Sequence, residues 1–224
     1  MVFIQGILVM INILYEDNHL LVVEKPINIP VQQDSSNDDD LLNILKGYLK
    51  NKYDKKGNVY LGLVHRLDRP VGGVMVFAKT SKCASRLSHQ IQNHIFKKIY
   101  YAIVEGNINS KGVFKDKLLK NEQNNIVKVS SLGKEAILEY ELVKSLNNLS
   151  LVKINLKTGR SHQIRVQFSH HGYPLYGDHK YNKNVISNSQ IALFASEIIF
   201  YHPITNELIS FKLDMPNYYP WTLF

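Results

Sequence analysis

Short apolar runs separated by turn residues dominate this chain, and three stretches place apolar residues at helical spacing. Residues 13–15 and 20–24, split by Asp17 and Asn18, predict a pair of strands that Pro26 and Pro30 bring to an end. The polar stretch 32–40 reads as a loop. Its three consecutive aspartates suit either a cation or, more simply, the N-terminus of a helix carrying Leu41, Leu42, Leu45 and Leu49. Residues 50–57 read as a basic linker and 59–64 as an apolar strand, broken by the segment 65–73 (HRLDRPVGG) and resumed over 74–78. Thr80 or Ser81 can cap a helix with Ala84, Leu87, Ile91 and Ile95 on its apolar face. Residues 98–104 are strand-like, with Lys98, Tyr100 and Ala102 on one face.

Further along, the lysine-rich stretch 107–135 predicts hairpins or a mobile insert, and 137–143 and 149–156 predict strands. Thr158 and Gly159 turn into a helix expected over 160–170, which Gly172 closes. Strands outnumber helices and alternate with them irregularly. This pattern predicts an α+β fold on a mixed, mostly antiparallel sheet flanked by helices and loops. No repeat or linker divides the chain, so residues 13–224 are expected to form a single domain after an N-terminal tail, 1–12.

Composition narrows the chemistry. Lysine and arginine outnumber the acids 27 to 19, which suits a polyanionic partner as well as it suits a merely solvated basic surface. One cysteine, Cys83, excludes an internal disulfide and any cysteine-based metal site. No apolar run has the length of a membrane span, and the N-terminus lacks the basic lead of a signal peptide, so a cytoplasmic protein is expected. Only five cations are arginine, and four of them lie at 66, 69, 160 and 165. In so lysine-rich a chain, that clustering marks places where a forked, planar donor matters.

Asp68 lies between Arg66 and Arg69, ahead of Gly72 and Gly73, which permit close approach. Two guanidiniums would keep its carboxylate ionised, fit for a nucleophile or weak base; an ordinary structural ion pair is the alternative. The block TGRSHQIR (158–165) feeds a helix with arginines at both ends, suiting an anion or a plain helix cap. Tyr100 beside Lys98 suits base stacking or core packing. No phosphate loop or serine elbow is present, and the histidines lack metal-helix spacing.

Taken in order, HRLDRPVGG, KIYYAIVEG, LKTGRSHQIRV, GYPLYGD and the later LFAS and HP resemble the RluA family of RNA pseudouridine synthases, from about residue 13 to 216. The resemblance implies the pseudouridine synthase fold and isomerisation of uridine in rRNA or tRNA without cofactor or metal. Asp68 would then be the catalytic aspartate, described in the family either as a nucleophile or as a base at the ribose. Tyr100 would stack on the uracil and assist removal of the C5 proton, and Arg165 would pair with Asp68. His65, Arg66, Arg69, Lys98, Arg160 and His162 would bind RNA, with Arg66 filling the gap left by the flipped nucleotide. The implied protein is a monomer with no membrane and no nucleotide cofactor.

Two departures stand out. The family turn HRLDxxTSG reads HRLDRPVGG here, so Val71 and Gly72 replace two hydroxyl residues near the aspartate. Only twelve residues precede the family pattern, so a compact member without the S4 domain common among relatives is expected. RNA reading by the lysines of 107–135 is therefore expected. A metal-dependent phosphodiesterase and a non-catalytic RNA-binding module are the rival classes; metal dependence and insensitivity to change at Asp68 would mark them respectively.

Overall fold

The computed structural model describes residues 2–4, 7–9, 11–34 and 38–224. Residues 35–37 of the expected loop and part of the expected N-terminal tail lie outside the described residues. Along the chain run β1 (Val2–Ile4), β2 (Ile7–Val9), β3 (Asn12–Glu16), β4 (Leu20–Lys25), α1 (Leu41–Lys52), β5 (Gly62–Leu63), β6 (Gly72–Ala78) and α2 (Ser81–Gln92). There follow β7 (Lys97–Glu105), β8 (Lys111–Asn121), β9 (Ile126–Val129), β10 (Lys134–Leu146), β11 (Leu149–Leu156), α3 (Gln163–His170), β12 (Leu193–Tyr201) and β13 (Leu208–Lys212). This is an α+β fold, and every strand pair whose register is described is antiparallel. The chain divides into two compact units: residues 1–96 with 197–213, and residues 97–196 with 214–224.

In the first unit β3 pairs with β4, β4 with β6, and the last five residues of β12 with β13. Period-two positions Leu20, Val22, Val74, Val76, Ile198 and Phe200 form one core cluster with Cys83, Leu87 and Phe96. The alternate positions Leu21, Val23, Met75 and Phe77 are fully buried too, so these strands read as continuous apolar runs rather than alternating ones. Asp40 caps α1 by accepting from the Asn43 N–H at 3.0 Å, so the last of the three aspartates serves the helix. That helix continues through Lys52 and absorbs the start of the expected linker.

Thr80 caps α2, accepting from the Cys83 N–H at 3.2 Å. The expected apolar face needs one correction. The helix stops at Gln92, His94 turns to φ 57, and Ile95 leaves helical phase to lie 41% exposed; Cys83 takes its place in the core. Nor does a strand fill 59–64, because only Gly62–Leu63 pairs, against Phe77 and Ala78.

In the second unit the strand order is β12-β7-β11-β10-β8-β9. The stretch 107–135 is the β8–β9 hairpin with the start of β10. Leu118 and Val127 of the hairpin, with Ala136 next along β10, pack on Val166 of α3. Across the ladder Lys117 faces Glu135, Lys111 faces Glu141, and Lys115 Nζ lies 3.3 Å from Glu135. Opposite charges on facing strands give several of these lysines a place in the sheet itself.

The helix expected from residue 160 begins at Gln163, because His162 is left-handed (φ 51) and breaks helical geometry before it. Gly172, at φ +86, closes α3 as expected.

Candidate active site

The HRLD segment links two strands, as its place between two apolar runs predicts. Strand β5 finishes at Leu63, and residues 64–71 lead directly into β6, which begins at Gly72. His65 is pinned by that strand: the Val76 N–H donates to its Nε2 at 3.1 Å, and its ring lies 5.5 Å from Phe96. Leu67 is buried, whereas Arg66 is exposed and Asp68 half-buried, so the chain anchors every second side chain and presents the others. The Val71 N–H donates to the Asp68 carbonyl at 3.0 Å, closing a turn over Arg69 and Pro70. Arg69 turns back to Asp38, lies 3.7 Å from Asp34, and donates from Nε to the Asn28 carbonyl at 3.2 Å.

The centre of this turn is Lys25, a residue the motifs did not point to. Its side chain is 1% exposed, and Nζ donates to three carbonyls: Pro26 at 2.9 Å, Arg69 at 3.0 Å and Val71 at 2.8 Å. These bonds satisfy the ammonium and hold both ends of the Arg69–Pro70 tip. Burial pulls its pKa down to about 7; the Asp68 carboxylate opposes that shift and the Arg69 charge adds to it. Gly72 allows the close contact, since a Cβ there would sit 3.1 Å from Ile27 Cγ2 and 3.2 Å from the Lys25 carbonyl. With Val71 and Gly72 at these positions, the turn is held through main-chain carbonyls.

The second unit holds the remaining predicted residues. Lys98 and Tyr100, neighbours on one face of β7, are 8% and 6% exposed. A Cβ on Gly159 would lie 3.0 Å from Lys98 Nζ, so the glycine of TGR lets the ammonium approach the main chain. Burial lowers the pKa of Lys98.

The TGRSHQIR block is a hydrogen-bonded latch. Thr158 Oγ1 accepts from the Ile137 N–H at 2.8 Å and donates to Gln163 Oε1 at 2.7 Å, an oxygen that also accepts the Arg160 N–H at 3.0 Å. Gln163 Nε2 donates to the Ile137 carbonyl and to Gln167, whose own amide donates to Asp116 at 2.7 Å. Arg160 itself donates from Nε to the Glu135 carbonyl at 2.8 Å.

Arg165, 7% exposed, forks onto Asp178: Nε to Oδ2 at 2.9 Å and an NH2 to Oδ1 at 2.6 Å. Its guanidinium lies 5.2 Å from the centre of the Tyr181 ring. Tyr181 Oη accepts the Val127 N–H at 3.0 Å and shares a hydrogen bond with His162 Nδ1, 2.6 Å away. The β8–β9 hairpin thus buttresses His162 and Arg165. Among the described residues no three His, Cys, Asp or Glu side chains group to hold a metal ion.

A family model described as RNA pseudouridylate synthase matches residues 19–170, a span that includes both the HRLD turn and the TGRSHQIR block. The chain belongs to the RNA pseudouridylate synthase family. As a pseudouridine synthase it isomerises uridine to pseudouridine, and RNA is its substrate. It is 33% identical over 221 residues to "Ribosomal large subunit pseudouridine synthase D" of Zymomonas mobilis, covering 92% of this chain and 70% of that protein. It is 36% identical to "Ribosomal large subunit pseudouridine synthase C" of Buchnera aphidicola, covering 90% and 67% respectively. The fold is shared with the solved "Human RNA Pseudouridylate Synthase Domain Containing 4" at TM-score 0.77 and 23% identity, over 92% of this chain and 89% of that one.

In this synthase the motifs alone missed Lys25, Asp178 and Tyr181. Asp178 ends the GYPLYGD block, where its type was visible but not its partner. A lysine closing an apolar strand before Pro26 was the single visible sign of Lys25, and a half-solvated strand end produces the same sign.

Proposed function

We propose that this pseudouridine synthase modifies uridine in large-subunit ribosomal RNA, with Asp68 as the catalytic residue and Tyr100 and Arg165 as its partners. The observation that carries the substrate is the similarity, at 33% and 36% identity over about nine-tenths of the chain, to synthases named for that RNA. His65, Arg66, Arg69, Lys98, Arg160 and His162 bind the RNA. Residues 13–224 work as one catalytic domain in a cytoplasmic monomer, without cofactor. Among the described residues, no helix is long and apolar enough to cross a membrane.

The reaction breaks the bond from C1′ to N1, turns the uracil, and joins C1′ to C5, from which a proton leaves. Asp68 begins it as nucleophile or as base at the ribose. Either role needs the carboxylate held in a fixed place, and the turn tied to Lys25 supports that.

The deciding experiment measures tritium release from unmodified ribosomal RNA and from tRNA, each carrying uridine tritiated at C5. Release from the ribosomal pool, lost by about 10³-fold or more in Asp68→Asn while RNA affinity stays within about twofold, is expected. Release that survives Asp68→Asn overturns the catalytic assignment, and release from tRNA alone overturns the substrate.

A further inference from the structure

Helix α1 carries a polar groove of about 450 Å³, lined by Asn43, Lys46, Gly47 and Lys50 and by residues 57–59. The four helical positions follow i, i+3, i+4 and i+7, so they form one stripe. Two features of that stripe run against local stability. Lys46 and Lys50 are like charges one turn apart and repel, although Lys50 in the last turn also meets the C-terminal helix dipole favourably. Gly47 sits mid-helix, where glycine is among the worst residues, and beyond its own stretch of helix backbone no atom lies within 4 Å of where its Cβ would be. Packing therefore does not require it. Gly57, on the facing segment, is equally unconfined.

The lysines of this helix divide by role. Lys52 donates to Glu16 at 2.8 Å. Among the described residues Lys46 and Lys50 have no ion-pair or hydrogen-bond partner for their ammonium groups, and no carboxylate lines the groove. The Asn43 amide is held by Asp40 at 2.7 Å. Local rules broken together, without a packing gain, mark functional positions. The charge fits an anion, and an uncrowded helix face with two lysines about 6 Å apart along the axis fits neighbouring phosphates of one strand. The groove also has a fixed connection to the HRLD turn: Asp34 and Asp38, just ahead of α1, pair with Arg69.

We propose that this groove is an auxiliary RNA-backbone site, taking phosphodiester groups of the substrate away from the reacting nucleotide. It rests on the reading of the protein as an RNA-modifying enzyme. The contact is sequence-independent and contributes affinity rather than chemistry.

The test uses the full chain with Lys46→Gln/Lys50→Gln, and Lys153→Gln/Lys212→Gln as a control that removes equal charge from lysines facing glutamates across strand pairs. Binding of a mixed-sequence RNA stem-loop is followed against salt. Losing two phosphate contacts should weaken binding about three- to tenfold near 0.1 M salt and lower the slope of log affinity against log salt by about 1.4–1.8. The control should change the slope far less. On unmodified ribosomal RNA, KM should rise by a similar factor with kcat unchanged.

Gly47→Ala should raise Tm by about 2–4 °C, showing that the glycine is not kept for stability. An unchanged slope in the groove variant, or an equal fall in the control, overturns the site. Absence of tritium release by the wild type would instead overturn the enzymatic reading, which the salt slope does not depend on.

Discussion

Lys25 Nζ donates to the Val71 carbonyl at 2.8 Å, joining residues 46 positions apart in the chain. With its bonds to Pro26 and Arg69, this puts one buried ammonium at the hub of the turn that carries Asp68. A carboxylate that must meet a reacting sugar needs a rigid base, and main-chain carbonyls gripped by a buried cation supply one.

Lys25→Met should therefore lower kcat about 10- to 100-fold through a misplaced turn, and destabilise the fold by about 1–3 kcal/mol through the carbonyls it leaves without a donor. The pH dependence provides a second check. In the folded protein the pKa is about 7, against 10.5 ordinarily. Between those values the unfolded chain binds more protons, so the contribution of Lys25 to stability rises with pH across that window and is flat below it. Unfolding free energies of wild type and Lys25→Met, compared between pH 6 and 10, should diverge in favour of wild type. A constant difference would show that Lys25 keeps its proton in the fold throughout that range, and would refute the lowered pKa.

Glu16 ties β3 to α1 and to the end of β6. It accepts from Tyr48 at 2.8 Å, Tyr53 at 2.6 Å, Lys52 at 2.8 Å and Lys79 at 2.9 Å. Burial pushes its pKa up, but the bonds from Lys52, Tyr53, Lys79 and Tyr48 outweigh burial and hold it at about 2. A lowered carboxylate pKa stabilises fully above about 4.5 and loses that contribution as pH falls towards 2. Glu16→Gln should cost about 2–3 kcal/mol at neutral pH, and the gap to wild type should close below pH 4.5 in acid melts. A gap that persists at pH 2 would show that shape, not charge, makes the contribution.

Tyr181→Phe removes the acceptor of the buried Val127 N–H and the hydrogen-bond partner of His162. A loss of about 1–2 kcal/mol is expected, concentrated in the β8–β9 hairpin. Hydrogen exchange at the Val127 amide should accelerate more than at the amides of β11. Uniform acceleration would mean that the hairpin does not lean on Tyr181 as a separate unit.

The strand pair at the start, the caps at Asp40 and Thr80, the closing Gly172 and the two arginine-bearing motifs were all legible in residue order, because each depends on contacts within a few positions. Local order failed where a distant partner intervened. Residues 50–52 look like a solvated linker until Glu16 orders Lys52, and helical spacing placed Ile95 in a core that the turn at His94 withholds from it. The 107–135 lysines looked unexplained because the glutamates facing several of them arrive on β10. Lys25 is the clearest case: its residue type marks it as exposed, and only carbonyls brought from 44 and 46 residues away make its burial tolerable. Motif and family follow from side chains near one another in the chain. The pinning of Asp68's turn and the forking of Arg165 onto Asp178 follow from tertiary closure, since a buried charge is stable only once its partners have been folded around it.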